Sequence, residues 1–250
     1  MKNIKLKFLS AFALMLLVMT VAEAQVKFNS IQAGMSLWQR SYAGADERAL
    51  LRNYPGEGDF TIGKVMPTLG AEIGLSDHFA VDGRIGLWNG KFIGEDNLVS
   101  GLVIREEIEQ TVIPLSLGLN YYYNDLVMDK LNAFAGVGVN RYFIQNKVNR
   151  YVSEGDGTVL PEKYSGNNYG IHFKLGVEYL LDAKLGIGLE GRYNTGAYSQ
   201  SYTPEVGGAG IKQDISLRGM EIGLTLRYKF GTSNGAIKSD KGSEGTSDEQ

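Results

Sequence analysis

The sequence predicts an all-β fold: an eight-stranded antiparallel up-and-down transmembrane β-barrel. Three observations lead there: strands of two-residue period, connections that alternate short and long, and glycine gathered on one strand face. Glycine makes up 33 of 250 residues, nearly twice the roughly 7% of average proteins. It has no three-residue period, which excludes collagen, and aromatic residues at 10% argue against a disordered chain. Cysteine is absent, which removes disulfides, thiol nucleophiles and cysteine-bound zinc together. A formal charge of −3 gives no electrostatic case for nucleic acid.

The first element reads as an export signal. Lys2, Lys5 and Lys7 precede an apolar run from Phe8 to Val21, and Ala22-Glu23-Ala24 has the small-x-small pattern of cleavage after Ala24. The run is shorter than the ~20 residues a helix needs to span a bilayer. The predicted organisation is a cleaved signal peptide over 1–24, a barrel over 25–230 and a disordered polar tail over 231–250. An exported chain without cysteine fits a bacterial envelope better than a eukaryotic secretion route.

The strands follow in order. In Gly219 to Phe230 the even positions Met220, Ile222, Leu224, Leu226, Tyr228 and Phe230 are apolar, and the odd ones are polar or glycine. Tyr169 to Leu180 and Leu185 to Asn194 split the same way. Segments near 31–40, 64–75, 79–89, 111–123 and 131–143 complete the eight. The connections 76–78, 124–130 and 182–183 are short. Those at 41–63, 90–110, 146–168 and 195–214 are long, polar and expected to be irregular. Short turns at one end and long loops at the other are the arrangement of outer-membrane barrels.

The polar face carries Gly34, Gly70, Gly74, Gly86, Gly118, Gly136, Gly138, Gly176 and Gly223. Glycine weakens a solvated strand face but suits the crowded inside of a small barrel. Aromatics on the apolar face gather at the strand ends: Phe79, Tyr121, Tyr123, Tyr179, Tyr228 and Phe230 by the short turns, Phe143, Tyr169 and Tyr193 at the other end. These form two interfacial girdles. The apolar face therefore meets lipid, whereas a soluble ligand-binding barrel would turn it inward. Pro67 and Pro114 fall inside strands and cannot donate to a ladder; about ten residues from a short turn, they are expected at the outer rim, where bulges and frayed pairing are tolerated.

Phe173-Lys174-Leu175-Gly176-Val177-Glu178-Tyr179 through Leu185-Gly186-Ile187-Gly188-Leu189-Glu190-Gly191-Arg192-Tyr193 resembles the penultimate hairpin of small bacterial outer-membrane barrels. These are the eight-stranded type of outer-membrane proteins A, X and W. Leu224-Thr225-Leu226-Arg227-Tyr228-Lys229-Phe230 is similar to their closing strand, whose terminal aromatic is read by the insertion machinery. The resemblance covers about 25–230. It implies a bacterial outer-membrane location, lipid contact, handling by periplasmic chaperones and the barrel-insertion machinery, and an insertion signal in Leu224, Leu226, Tyr228 and Phe230. Here the aromatic end is followed by the tail, which is too short for the peptidoglycan-binding domain found after some of these barrels.

The candidate site is an interior charge network of Lys64, Glu72, Asp82, Arg84, His172, Lys174, Glu178, Glu190, Arg192, Glu221, Arg227 and Lys229. Near balance between acids and bases is what a buried interior requires, because an unpaired buried charge is costly. Its structural reading is a salt-bridge core that plugs the barrel; its functional reading is a polar gate. Catalysis is not expected. Only His78 and His172 are available as imidazole bases, and no nucleophile motif accompanies them. No metal or cofactor is expected either, since no His/Asp/Glu cluster has ligand spacing. Tyr42, Tyr54, Phe60, Tyr151, Tyr164, Tyr198 and Tyr202, with the stretch 46–52, are the loop residues offered to an extracellular partner. The predicted role is structural or surface-interacting, with a narrow channel or a lateral port for small or apolar solutes as the alternative.

Overall fold

The structure, a computed structural model, describes residues 27–41, 58–60, 63–99, 102–124, 126, 130–152, 159–202 and 211–230. The predicted signal peptide, the loop residues 42–57 and the tail 231–250 lie outside them, as do the side chains of Phe60 and Tyr202. Among the described residues every regular element is a strand: β1 (Lys27–Arg40), β2 (Gly58–Phe60), β3 (Gly63–Gly74), β4 (Phe79–Gly86), β5 (Trp88–Val99), β6 (Leu102–Tyr123), β7 (Leu131–Val152), β8 (Val159–Leu180), β9 (Leu185–Asn194), β10 (Ala197–Tyr202), β11 (Ile211–Ser216) and β12 (Gly219–Lys229).

These make eight spans, because β2 and β3, β4 and β5, β9 and β10, and β11 and β12 are successive parts of single staves. Antiparallel pairing runs β1–β3–β4–β6–β7–β8–β9–β12, and β12 pairs back onto β1 from Ser30↔Lys229 to Arg40↔Gly219. Closure leaves no sheet edge in this ring, and inside a bilayer no backbone group can go unpaired. The outward residues, among them Met35, Leu69, Leu117, Leu175 and Leu224, are exposed, as an apolar band facing hydrocarbon must be. Phe79, Tyr121, Tyr123, Tyr179, Tyr228 and Phe230 ring the short-turn end with exposed side chains. Phe230 packs on Phe28 with ring centroids 5.0 Å apart, and its N–H donates to Asn29 O at 3.0 Å.

The short turns are tight. Asp182 Oδ1 accepts the backbone N–H groups of Lys184 and Leu185, both at 2.7 Å, and these two donors hold its carboxyl below the ordinary aspartate range.

Three expectations are corrected. The long connections are far more regular than their composition implied. β5 and β6 are separated by residues 100–101 alone, β7 and β8 by 153–158, and β10 pairs with β11 from Ala197↔Ser216 to Tyr202↔Ile211. A transmembrane strand needs about 9–11 residues, whereas β6, β7 and β8 have 22 each. The excess rises above the lipid as sheet. Secondly, the prolines do not fray β3 or β6. Pro67 pairs with Met35 and Pro114 with Tyr142 in unbroken register, and the irregularities fall at Phe28/Ser30, Asn97/Val99 and Val148/Arg150. The interruption is in the neighbouring stave, at Leu87 between β4 and β5. Leu87 N–H donates to Pro67 O at 3.2 Å, but Pro67 has no N–H to return, so the ladder stops there. Thirdly, Tyr198 is not a loop residue facing a partner: it is buried inside the upper barrel, and Tyr164 packs beside the same cluster.

The candidate functional site, a lumen closed in three layers

Alternation along eight staves sends one side chain in two into the lumen, and glycines make room for the large ones. A Cβ on Gly118 would fall 2.8 Å from Asp82 Oδ1 and 3.1 Å from His172 Nε2. One on Gly136 would meet Lys174 Cε at 2.8 Å, and one on Gly138 the His172 ring at 2.5 Å. Glycine on β6 and β7 is thus the counterpart of the bulk on β8.

The lowest layer, nearest the short turns, is built on Glu72, Tyr122, Glu178, Arg227 and Lys229. Tyr122 donates its O–H to Glu72, and Arg227 Nη1 donates to Tyr122 Oη at 2.8 Å. Asn29 and Asn120 donate to the same carboxylate at 2.9 and 3.2 Å. Arg227 lies 4.8 Å from the Phe134 ring centroid, and Lys229 pairs with Glu178 at 2.7 Å.

In the middle layer Lys174 pairs with Asp82 at 2.7 Å, while Arg84 bridges Glu190 at 2.9 Å and Glu221 at 2.5 Å. Arg192 lies 3.4 Å from Glu190, and Asn194 donates to Glu221 at 2.9 Å. His172 Nδ1 meets Asn140 Oδ1 at 2.8 Å; Ser116 Oγ also donates to that oxygen, at 2.7 Å. Its imidazole partner is therefore an amide, not a nucleophile. Across these two layers five acids face five bases, so the charge closes within the lower lumen.

Alone in the candidate set, Lys64 is exposed. It shares the inward parity of β3, but it sits at the open end, beyond the reach of the network. His78 belongs to a turn, with Nδ1 3.1 Å from Tyr122 O.

The upper layer is not polar, which sequence parity did not anticipate. Trp38, Met66, Trp88, Phe92, Ile108, Val112, Tyr142, Ile144, Val148, Tyr198, Ile215 and Leu217 form one buried cluster inside the barrel. Trp38 stacks on Tyr142 with centroids 6.1 Å apart and meets Trp88 edge-on at 6.2 Å. Arg40 closes this layer. It lies 5.1 Å from the Trp88 centroid, donates to Gln110 Oε1, and reaches Ser216 O at 2.8 Å. Gln110 Nε2 in turn donates to Asn146 Oδ1 at 2.9 Å and Tyr198 Oη at 2.8 Å.

Two inward-facing stretches outside the candidate set were readable. In Tyr121-Tyr122-Tyr123 the flanking rings face out, so Tyr122 must face in. In Tyr142-Phe143-Ile144 three successive apolar residues mark where the alternation changes phase. Below that point the outer face meets lipid; above it the outer face meets water and the inner face is the apolar one.

A closed eight-stave barrel with an apolar girdled exterior and a charge-balanced interior has defined relatives. The Outer membrane protein beta-barrel domain family matches residues 10–234. The chain belongs to that family. It is accordingly a bacterial outer-membrane barrel. Among solved structures it is similar to the outer membrane protein OprG from Pseudomonas aeruginosa, at 14% identity, 82% of this chain, 97% of that chain and a TM-score of 0.53. Neisserial surface protein A is similar at 11% identity, 82% of this chain, 99% of that chain and a TM-score of 0.48. At these identities the likeness concerns the fold alone. No curated protein sequence matches the chain.

Among the described residues no group of three or more His, Asp or Glu is arranged to hold a metal.

Proposed function

We propose that this outer-membrane barrel is a closed structural and surface-interaction protein, without enzymatic activity, whose projecting sheet meets the outside. The observation that carries the reading is contact between opposite staves at every level. Arg227 on β12 reaches Tyr122 on β6, Arg84 on β4 reaches Glu190 on β9, and Trp38 on β1 stacks on Tyr142 on β7. Each of these joins staves four apart in a ring of eight. Such a lumen is a packed core, as expected for a barrel of this strand number. The chain is exported with cleavage after Ala24, received by chaperones and the insertion machinery through its closing strand, and surrounded by lipid. Tyr151, exposed on β7, is among the side chains it offers to an extracellular partner. The test is conductance of the mature barrel in a planar bilayer: no openings above background are expected, and discrete openings would overturn the closed reading.

One observation favours a lateral port for apolar solutes as the second reading. The wall interruption at Leu87 lies beside Trp88 and opposite Pro67, next to Met66, so it borders the apolar upper cluster. Pro114 sits in the same gap on the other side, between the pairs Ile85↔Leu115 and Trp88↔Val112. Uptake of an apolar fluorescent probe that falls in Pro67→Ala would favour the port over the closed barrel.

A further inference from the structure

The outward face of β7 and β8 changes character just above the outer aromatic girdle. Phe143 and Tyr169 have exposed rings there. Arg141 shares their face, its guanidinium 4.2 Å from the Tyr169 centroid and 5.7 Å from the Phe143 centroid. Its Nη2 donates to Asn167 Oδ1 at 2.6 Å. Rising from Arg141↔Tyr169, the same face carries Phe143↔Asn167, Gln145↔Ser165 and Lys147↔Lys163.

Two ammonium groups directly opposite each other on neighbouring strands repel. Glu109 on β6 comes within 3.7 Å of Lys147, with both side chains well exposed, and an exposed pair of this kind offsets little. Among the described residues neither Arg141 nor Lys163 has an ion-pair partner. The result is a basic, amide-bearing patch on the outward side of the wall, just above the lipid-facing band, with aromatic rings at its foot. It is not at the tip of a loop, where a soluble partner would dock.

We infer that this patch binds the phosphate of a phosphorylated outer-leaflet lipid headgroup. Arg141, held over the Tyr169 ring and anchored by Asn167, presents its remaining N–H groups at the level where headgroups begin. Lys147 and Lys163 add two point charges farther out, toward a second phosphate or a sugar-linked anion. The bound anion removes the repulsion between the two lysines, which gives the pairing a reason within the fold. The lipid tail then lies along the apolar band that continues below through Val139 and Ile171, both exposed.

The test uses the mature chain folded in detergent and bisphosphorylated lipid A as probe, with retained lipid counted by native mass spectrometry. The variant is Arg141→Gln/Lys147→Gln/Lys163→Gln, and Lys130→Gln/Lys184→Gln at the opposite end is the control. Binding should weaken about tenfold in the triple variant and stay within about twofold in the control. Lys147→Arg/Lys163→Arg, which keeps the charge, should bind like the parent. If the triple variant does not fold, the single change Lys163→Gln serves in its place, with a severalfold loss expected. Equal retention of dephosphorylated lipid A, or unchanged binding in a folded charge-removed variant, would overturn the inference. So would inorganic phosphate competing as well as the lipid at equal concentration, because the patch would then be a free-anion site.

Discussion

Gly138 and Gly191 show how differently the same residue type is used along one wall. A Cβ on Gly138 would collide with the Leu117 carbonyl and the His172 ring, whereas Gly191 has nothing within 4 Å of that position. The backbone carbonyl has no room to retreat, since it belongs to the β6–β7 ladder. Gly138→Ala should therefore cost about 1–3 kcal/mol through overpacking, while Gly191→Ala should fall within about 0.5 kcal/mol of the parent. Urea unfolding in lipid vesicles, followed by tryptophan fluorescence, distinguishes the two. The glycine excess was plain in composition, and alternation placed much of it on the inner face. Which glycines touch something was not legible. That depends on which bulky side chain a neighbouring stave sets beside each one, and this follows from register.

At the scale of elements, the two prolines matter through the strand between them. Pro67 takes the Leu87 N–H and offers none in return. Pro67→Ala should restore that donor, join β4 to β5 through Leu87, and stabilise the barrel by about 0.5–1.5 kcal/mol. Hydrogen exchange provides the check: the new amide at position 67 should be protected, and rapid exchange there would refute the account. The proline positions were evident in the sequence, yet a defect in one strand appears in its partner, and pairing is not written in either alone. The extended hairpins were misread for a related reason. In β7 the outward residues Val137 and Val139 give way to Gln145 and Lys147, while the inward series passes from Gly136 and Gly138 to Tyr142, Ile144 and Val148. The alternation reverses sign as the outer solvent changes from lipid to water. Read over a window, the two phases cancel and resemble a polar loop.

For the whole molecule, the ion pairs act as cross-braces between staves that do not touch through backbone. Lys174 on β8 holds Asp82 on β4 at 2.7 Å, with both side chains 1% exposed. Asp82→Asn leaves that ammonium buried without its carboxylate and should cost about 3–5 kcal/mol, whereas replacing both partners by well-packed apolar residues should restore much of the loss. The readout is the temperature at which the fast-migrating folded band converts to the slow one on a gel. An Asp82→Asn barrel converting at the parental temperature would show that the pair is not a brace. By itself the sequence determined the all-strand class, the count of eight spans, the lipid-facing side and the identities of most lumen charges. Those follow from period, turn spacing and the solvent each face must meet, all local along the chain. Only the tertiary structure decided that Arg84 meets Glu190 and Glu221, that the upper lumen is an aromatic cluster, and that the wall breaks at Leu87. Each is a meeting of residues far apart in the chain, fixed by closure and register.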